Sequence, residues 1–88
     1  MINLSKKEMI GYVKAILPYR KIILVKKKNS NKIEKFIESD EGIHLDYEDN
    51  PMMILIGDYI NITNMKNITG ISKNDFNKKY IEIKNTNN

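Results

Sequence analysis

The sequence predicts an α+β fold, in which an N-terminal helix is followed by a five- to six-stranded antiparallel meander or small barrel. Apolar residues recur at helical spacing most clearly near the N-terminus, and the later segments are short, β-branched and separated by turn residues. The 88 residues are enough for one modest core. We therefore expect a single domain over residues 1–84 and a disordered tail over 85–88.

The first predicted element is a helix over residues 6–16. Ser5 and Glu8 have the spacing of a capping box, in which each side chain satisfies a free amide of the other residue. Pro18 disfavours the helical conformation of the residue before it, so the helix is expected to end there. The apolar stripe of this helix consists of Met9, Ile10, Val13, Ile16 and Leu17.

The segments that follow are typical of strands. Residues 19–28 are predicted as a strand because their apolar run at 22–25 is too short and too β-branched for a helix. Residues 43–47 alternate apolar and polar side chains, as a half-buried strand does. Further strands are predicted at 52–56, 59–63 and 80–83.

Turn residues separate these strands. Gly57 and Asp58 suit the two-residue turn of a hairpin between 52–56 and 59–63, because glycine fits the first central position of such a turn. Residues 72–75 have the spacing of a second capping box and predict one helical turn.

Residues 32–39 fit two structures. Ile33, Phe36 and Ile37 have helical spacing, which favours a short helix. Predicted strands lie on both sides of the segment, and a bulge could place Ile33 and one of the other two on one sheet face. We favour the strand and keep the helix as the alternative.

The hydrophobic spacing resembles that of Sm-like proteins over residues 5–71. Segment 62–71, a strand end and a short turn followed by isoleucines three apart, is similar to the last two Sm-like strands and to the ending of YolD-like small bacterial proteins. Segment 32–45 is similar to the second and third Sm-like strands. The sequence departs from that family near Lys35, where a glycine is usual, and at 48–58, which exceeds the usual linker. No nucleotide-binding residue is therefore transferred.

Charge is divided unevenly along the chain. Residues 1–35 carry ten Lys and Arg against two acidic residues, a net charge of +8. Residues 36–65 carry seven acidic residues and no Lys or Arg, a net charge of −7. Residues 66–88 carry five Lys against two acidic residues, which leaves +4 for the whole chain. A bipolar surface is expected unless neighbouring strands interleave the two signs.

The sequence offers little for catalysis, and we expect a protein that is not an enzyme and has no cofactor, catalytic residue or metal site. There is no Cys and one His, and the four glycines are too dispersed to form a phosphate loop. His44, Asp46, Glu48 and Asp49 could together bind a cation. Because His44 and Asp46 fall on the polar face of a predicted strand, we interpret them as exposed surface residues.

Cellular location is predicted from what the chain lacks. No segment approaches the roughly 18 apolar residues of a membrane span, and no signal peptide is evident. The absence of Cys suits a reducing compartment. We expect a soluble cytoplasmic protein without membrane contact.

Binding is the remaining class of function, and nucleic acid is the first predicted partner. Lysines provide point charges for phosphates, and tyrosines among them could stack on bases. A single arginine argues against bidentate base recognition, so the contacts would be to the DNA or RNA backbone. The residues assigned to this surface are Lys6, Lys7, Tyr12, Lys14, Tyr19, Arg20, Lys21, Lys26, Lys27 and Lys28.

The alternative is a regulator or inhibitor of the phage or mobile-element type that binds a host protein. It would act through the acidic segment 38–58 or through an exposed strand edge. A small core also makes a homodimer plausible. The acidic residues assigned to this surface are Glu38, Asp40, Glu41, Asp46, Glu48 and Asp49.

Overall fold

The computed structural model describes residues 1–83, so the tail predicted at 85–88 lies outside the described residues. The α+β class is confirmed, and the helix predicted at 6–16 is present with those bounds. In chain order the elements are β1 (Ile2–Ser5), α1 (Lys6–Ile16), the 3-10 turn η1 (Leu17–Tyr19), β2 (Ile23–Lys27), β3 (Glu34–Glu38), β4 (Ile43–Asp46), β5 (Met52–Ile54), β6 (Tyr59–Asn61), β7 (Thr69–Ile71), α2 (Lys73–Lys79) and β8 (Tyr80–Glu82).

The capping box at the start of α1 is confirmed. The backbone amide of Glu8 donates to Ser5 Oγ at 3.2 Å, and the backbone amide of Ser5 donates to Glu8 Oε1 at 2.9 Å. The hydrogen bonds of the Glu8 carboxylate to Ser5, first to its backbone amide and then to its side chain, lower the pKa of Glu8. Their contribution to stability is therefore present above the unfolded pKa and is lost as the pH falls through the lowered value.

The strands form two sheets. The larger has the order β7-β6-β3-β2-β8, with every neighbouring pair antiparallel. The smaller has the order β1-β4-β5, in which β1 is parallel to β4. The prediction of five to six antiparallel strands is therefore incomplete, since the described residues contain eight strands and one parallel pair. No closed barrel forms among residues 1–83.

The hairpin predicted around Gly57 and Asp58 is wrong. β5 pairs with β4 and β6 pairs with β3, so the two segments lie in different sheets. Gly57 has a positive φ of 92°, and the amide of Asp58 donates to the carbonyl of Leu55 at 2.9 Å. Ser39, at the end of β3, holds this turn, because its amide donates to the Asp58 carbonyl at 2.8 Å and its carbonyl accepts from the Gly57 amide at 2.7 Å. The turn therefore carries the chain from one sheet to the other.

The ambiguous segment 32–39 contains strand β3. This strand is central in the larger sheet, and its two apolar residues face opposite sides: Phe36 is buried on one face and Ile37 on the other. The burial of both faces explains why the apolar spacing resembled that of a helix.

The single helical turn predicted at 72–75 is longer than expected, since α2 runs for seven residues after its Ser72 cap.

Two apolar clusters cover the two faces of the larger sheet. The first contains Ile37 and Ile60 together with residues of α1 and the smaller sheet, which pack onto the β3–β6 half of one face. The second joins Val25, Phe36 and Phe76 on the other face, beneath α2. In this second cluster the ring of Phe76 lies 5.0 Å from that of Phe36.

A close approach between β7 and β5 requires a glycine. A Cβ on Gly70 would overlap Cγ1 of Ile54 and lie 2.7 Å from its Cδ1. We predict that Gly70→Ala destabilises the protein by about 1–3 kcal/mol, the usual cost of overpacking. Gly11→Ala is the control, because Gly11 lies in α1 with nothing within 4 Å of the added Cβ. It should stabilise the protein by about 0.5–1 kcal/mol.

Urea unfolding followed by circular dichroism measures both changes. A Gly70→Ala variant as stable as the wild type would show that β7 does not pack against β5 as described.

Candidate nucleic-acid interface

Arg20 is occupied by an acidic partner. Its Nη2 lies 2.7 Å from Oδ2 of Asp40, the one ion pair within 4.0 Å among residues 1–83. Both residues line a hollow of about 300 Å³, together with Tyr19, Lys21 and Glu38. Three basic-surface candidates are thus the immediate neighbours of two acidic-surface candidates. An anion approaching this hollow meets both signs of charge.

A larger cleft, of about 620 Å³, lies at the N-terminus of α1. Lys6 and Lys7 line one side, and Asp46, Glu48 and Asp49 line it from the end of β4 and the turn that follows. The basic and acidic blocks of the sequence therefore interleave here instead of forming separate surfaces. Glu41, the remaining acidic candidate, is exposed in the turn between β3 and β4.

The other candidates on α1 are separate. Lys14 is exposed and lies seven residues, or about two turns, beyond Lys7. Tyr12 packs against the first apolar cluster. Burial first, and then the charges of Asp40 and Glu41, raise the pKa of Tyr12. Its packed ring is not free to stack on a base, whereas the Tyr19 side chain is 80% exposed.

The remaining three candidates lie together near the β2–β3 connection. Lys26 and Lys27 end β2, and the Ser30 amide closes a turn onto the Lys27 carbonyl at 3.0 Å. The amide of Lys28 donates to the carbonyl of Lys79 at 3.2 Å, so the connection lies beside the end of α2. The β2–β3 connection and the end of α2 together carry five exposed lysines. We call them the basic rim: Lys27, Lys28, Lys32, Lys78 and Lys79.

No rim lysine forms an ion pair within the described part of the chain. Glu34, at the start of β3, is buried and accepts hydrogen bonds from Asn61 Nδ2 at 3.2 Å and from the Tyr80 hydroxyl at 3.3 Å. Burial first, and then Glu34, raise the pKa of Tyr80, whose hydroxyl is the donor in this contact. The charge of Glu34 is thus engaged inside the protein, while the rim ammonium groups face solvent.

Lys78 and Lys79 were not among the residues assigned from sequence. They lie at the C-terminus of α2, where the partial negative charge of the helix favours cations. Their proximity to Lys28 follows from the pairing of β8 with β2, which joins residues about 50 positions apart. The Ser72 cap and the strand predicted at 80–83 were the available signals, but neither specifies which strand is the neighbour.

Asp46 is exposed as predicted, but His44 is half-buried, because its strand lies between β1 and β5, where Asn3 and Met53 are its neighbours. No three His, Asp or Glu side chains of residues 1–83 are grouped as metal ligands would be. In the same residues no helix has the length and apolar character needed to cross a membrane.

No protein-family model, curated protein or solved structure matches this chain. The resemblance to Sm-like and YolD-like proteins therefore stays a prediction, and the site has to be interpreted from its own geometry. Its main feature is a group of exposed lysines supported by strand pairing and a capped helix.

Proposed function

We propose that this protein binds nucleic acid through the basic rim, by contacts to the phosphate backbone. The observation that carries the proposal is the hydrogen bond from the Lys28 amide to the Lys79 carbonyl, which brings lysines of two distant segments together. Concentrated positive charge that is not held in ion pairs attracts a polyanion and gains free energy from the counterions it releases. The interleaved surfaces around Arg20 and Lys6 lack that property.

The chemistry of the rim favours a duplex backbone over single-stranded bases. Lysine is a point charge and does not read base edges as the planar guanidinium of arginine does. The nearby aromatic rings Phe76, Tyr59 and Tyr80 pack on one another and on Phe36, so they offer no platform for stacking. The proposed contact is therefore insensitive to sequence and acts without a chemical step.

The acidic alternative has less support. Asp40 is held by Arg20, and Glu41 lies apart from the others in the turn between β3 and β4. The remaining four candidates are divided between a hollow and a cleft that also contain lysines. A regulatory role of the phage type, a homodimer and a cytoplasmic location stay predictions from sequence.

A titration of fluorescein-labelled 20-base-pair DNA, duplex RNA and single-stranded DNA tests the proposal by fluorescence anisotropy. The duplexes should bind in low salt, with dissociation constants near the non-specific range of about 1–100 µM at physiological salt. Failure to bind any of them at low salt would exclude the proposed function. Strong preference for the single strand would exclude the backbone-only contact.

A further inference from the structure

Part of one face of the larger sheet is uncovered. Around Ile37 and Ile60 this face packs against α1 and the smaller sheet. No residue of β2 or β8, which form the other side of this sheet, belongs to the first apolar cluster or packs against it. Four aliphatic side chains remain exposed there, with exposed fractions of 44% for Ile22, 40% for Leu24, 54% for Ile33 and 45% for Ile81.

Strand register places these side chains on the same face. Leu24 pairs with Lys35, and Lys26 pairs with Ile81, while the intervening Val25 faces α2. Ile22 and Ile33 directly precede β2 and β3, and the alternation of side chains, continued by one residue, puts them on the face of Leu24 and Lys35. We call this surface the apolar face, and it consists of Ile22, Leu24, Lys26, Ile33, Lys35 and Ile81.

The apolar face has the character of a contact surface. Single exposed hydrophobic side chains are normal, but a contiguous group on adjacent strands marks an interaction site. Lys26 and Lys35 lie within the group, and the acidic residues of the same strands are on the other face: Glu34 and Glu82 are the cross-strand partners of Val25, and Glu38 is that of Tyr59. The surface is thus aliphatic and cationic.

We infer that the apolar face docks a segment of a partner protein that has an apolar stripe flanked by carboxylates. Carboxylates would pair with Lys26 and Lys35, while the stripe would cover Leu24 and Ile81. A second copy of this chain fits less well, because a symmetric contact would oppose lysine to lysine. Nucleic acid fits less well because aliphatic side chains provide no ring for stacking.

The position of the aliphatic groups also distinguishes a peptide from a membrane. Leu24 and Ile81 lie within hydrogen-bonded strands, and the neighbouring lysine side chains are longer. A flat lipid surface would contact the ammonium groups of the lysines before it reached the aliphatic side chains of the apolar face. A narrow peptide segment can lie between the lysines and contact the aliphatic side chains directly. This inference goes beyond the proposed function and does not depend on it.

Selection from a phage-displayed library of random 16-residue peptides tests the inference on the full chain. The wild type is the target, and a double variant, Leu24→Asp with Ile81→Asp, removes peptides that bind elsewhere. Selected peptides should combine Leu, Ile or Phe with Asp or Glu. Their affinity, measured by anisotropy, should fall at least tenfold in the double variant and in a Lys26→Glu, Lys35→Glu variant.

The matched control changes Lys27 and Lys28 to Gln, which leaves the apolar face intact and should leave peptide affinity unchanged. Far-ultraviolet circular dichroism checks that every variant is folded. If Leu24→Asp and Ile81→Asp disturb folding, the Lys26→Glu, Lys35→Glu variant replaces that double variant in the test. Failure to enrich peptides, enrichment of basic peptides, or binding as tight as that of the wild type by both face variants would overturn the inference.

Two further measurements address other occupants. Binding to phosphatidylserine vesicles that the Leu24, Ile81 variant loses would assign the face to a membrane. A dimer detected by sedimentation and lost in that variant would assign it to a second copy. Either result would overturn the inference and leave the nucleic-acid proposal standing, because the rim lysines are unchanged in this variant.

Discussion

Phe36→Ala is expected to lower the free energy of unfolding by about 3–5 kcal/mol, the usual range for removing a buried aromatic side chain. Phe36 is 1% exposed on the central strand β3, and its ring lies 5.0 Å from those of both Phe76 and Tyr80. Its removal leaves a cavity between the sheet and α2. Because small domains are stable by only about 5–15 kcal/mol, this one change approaches the limit for folding.

Urea unfolding at 25 °C measures the effect, and Tyr19→Ala is the control because that ring is 80% exposed. The control should stay within about 0.5 kcal/mol of the wild type. Phe36→Leu should lose less than Phe36→Ala because it fills part of the cavity. A loss of less than about 1 kcal/mol for Phe36→Ala would contradict the packing of α2 on the sheet.

Neutralising the basic rim should have the largest effect on binding. The variant changes Lys27, Lys28, Lys78 and Lys79 to Gln, which keeps side chains that are exposed and polar. Each exposed contact to a phosphate is worth about 0.5 kcal/mol, so four contacts contribute about 2 kcal/mol. Duplex affinity should therefore fall by about thirtyfold.

The control carries the same change in net charge on other surfaces, with glutamine at Lys6, Lys7, Lys14 and Lys66. It separates a localised interface from attraction to the overall charge of the chain. We expect its duplex affinity to stay within about threefold of the wild type. Equal losses in the two variants would show that the rim is not the interface.

The sequence predicted the elements whose signals are local. The α1 helix followed from the Ser5–Glu8 box, the apolar repeat and Pro18, all within about 14 residues. Strand β1 was missed because its four residues run directly into the helix cap, with no turn to mark them. It is ordered by parallel pairing with β4, about 40 residues away, which no local pattern indicates.

Pairing between strands was the least predictable part of the fold. Gly57 and Asp58 do form a turn, but the chain changes sheets there, because Ser39 binds both sides of the turn through its backbone. A two-residue turn between two apolar segments has the same sequence pattern whether it closes a hairpin or takes the chain from one sheet to the other. Segment 32–39 was ambiguous for the opposite reason, since burial of both faces of a central strand removes the alternation that identifies strands.

The candidate site depended on the same long-range pairing. Sequence located the lysines at 26–28 but grouped them with Arg20, which the fold pairs with Asp40. Charge blocks along a chain do not specify charge on a surface, because adjacent strands come from distant segments. Lys78 and Lys79 joined the site only through the pairing of β8 with β2.

The dependence of duplex affinity on salt tests the central claim most directly. The logarithm of the association constant falls with the logarithm of salt concentration by about 0.9 for each phosphate neutralised on duplex DNA. The slope for the wild type should therefore exceed that of the four-glutamine rim variant by about 3–4 in magnitude, while the control variant keeps the slope of the wild type. The same slope for the rim variant and the wild type would contradict the assignment of the basic rim as the nucleic-acid interface.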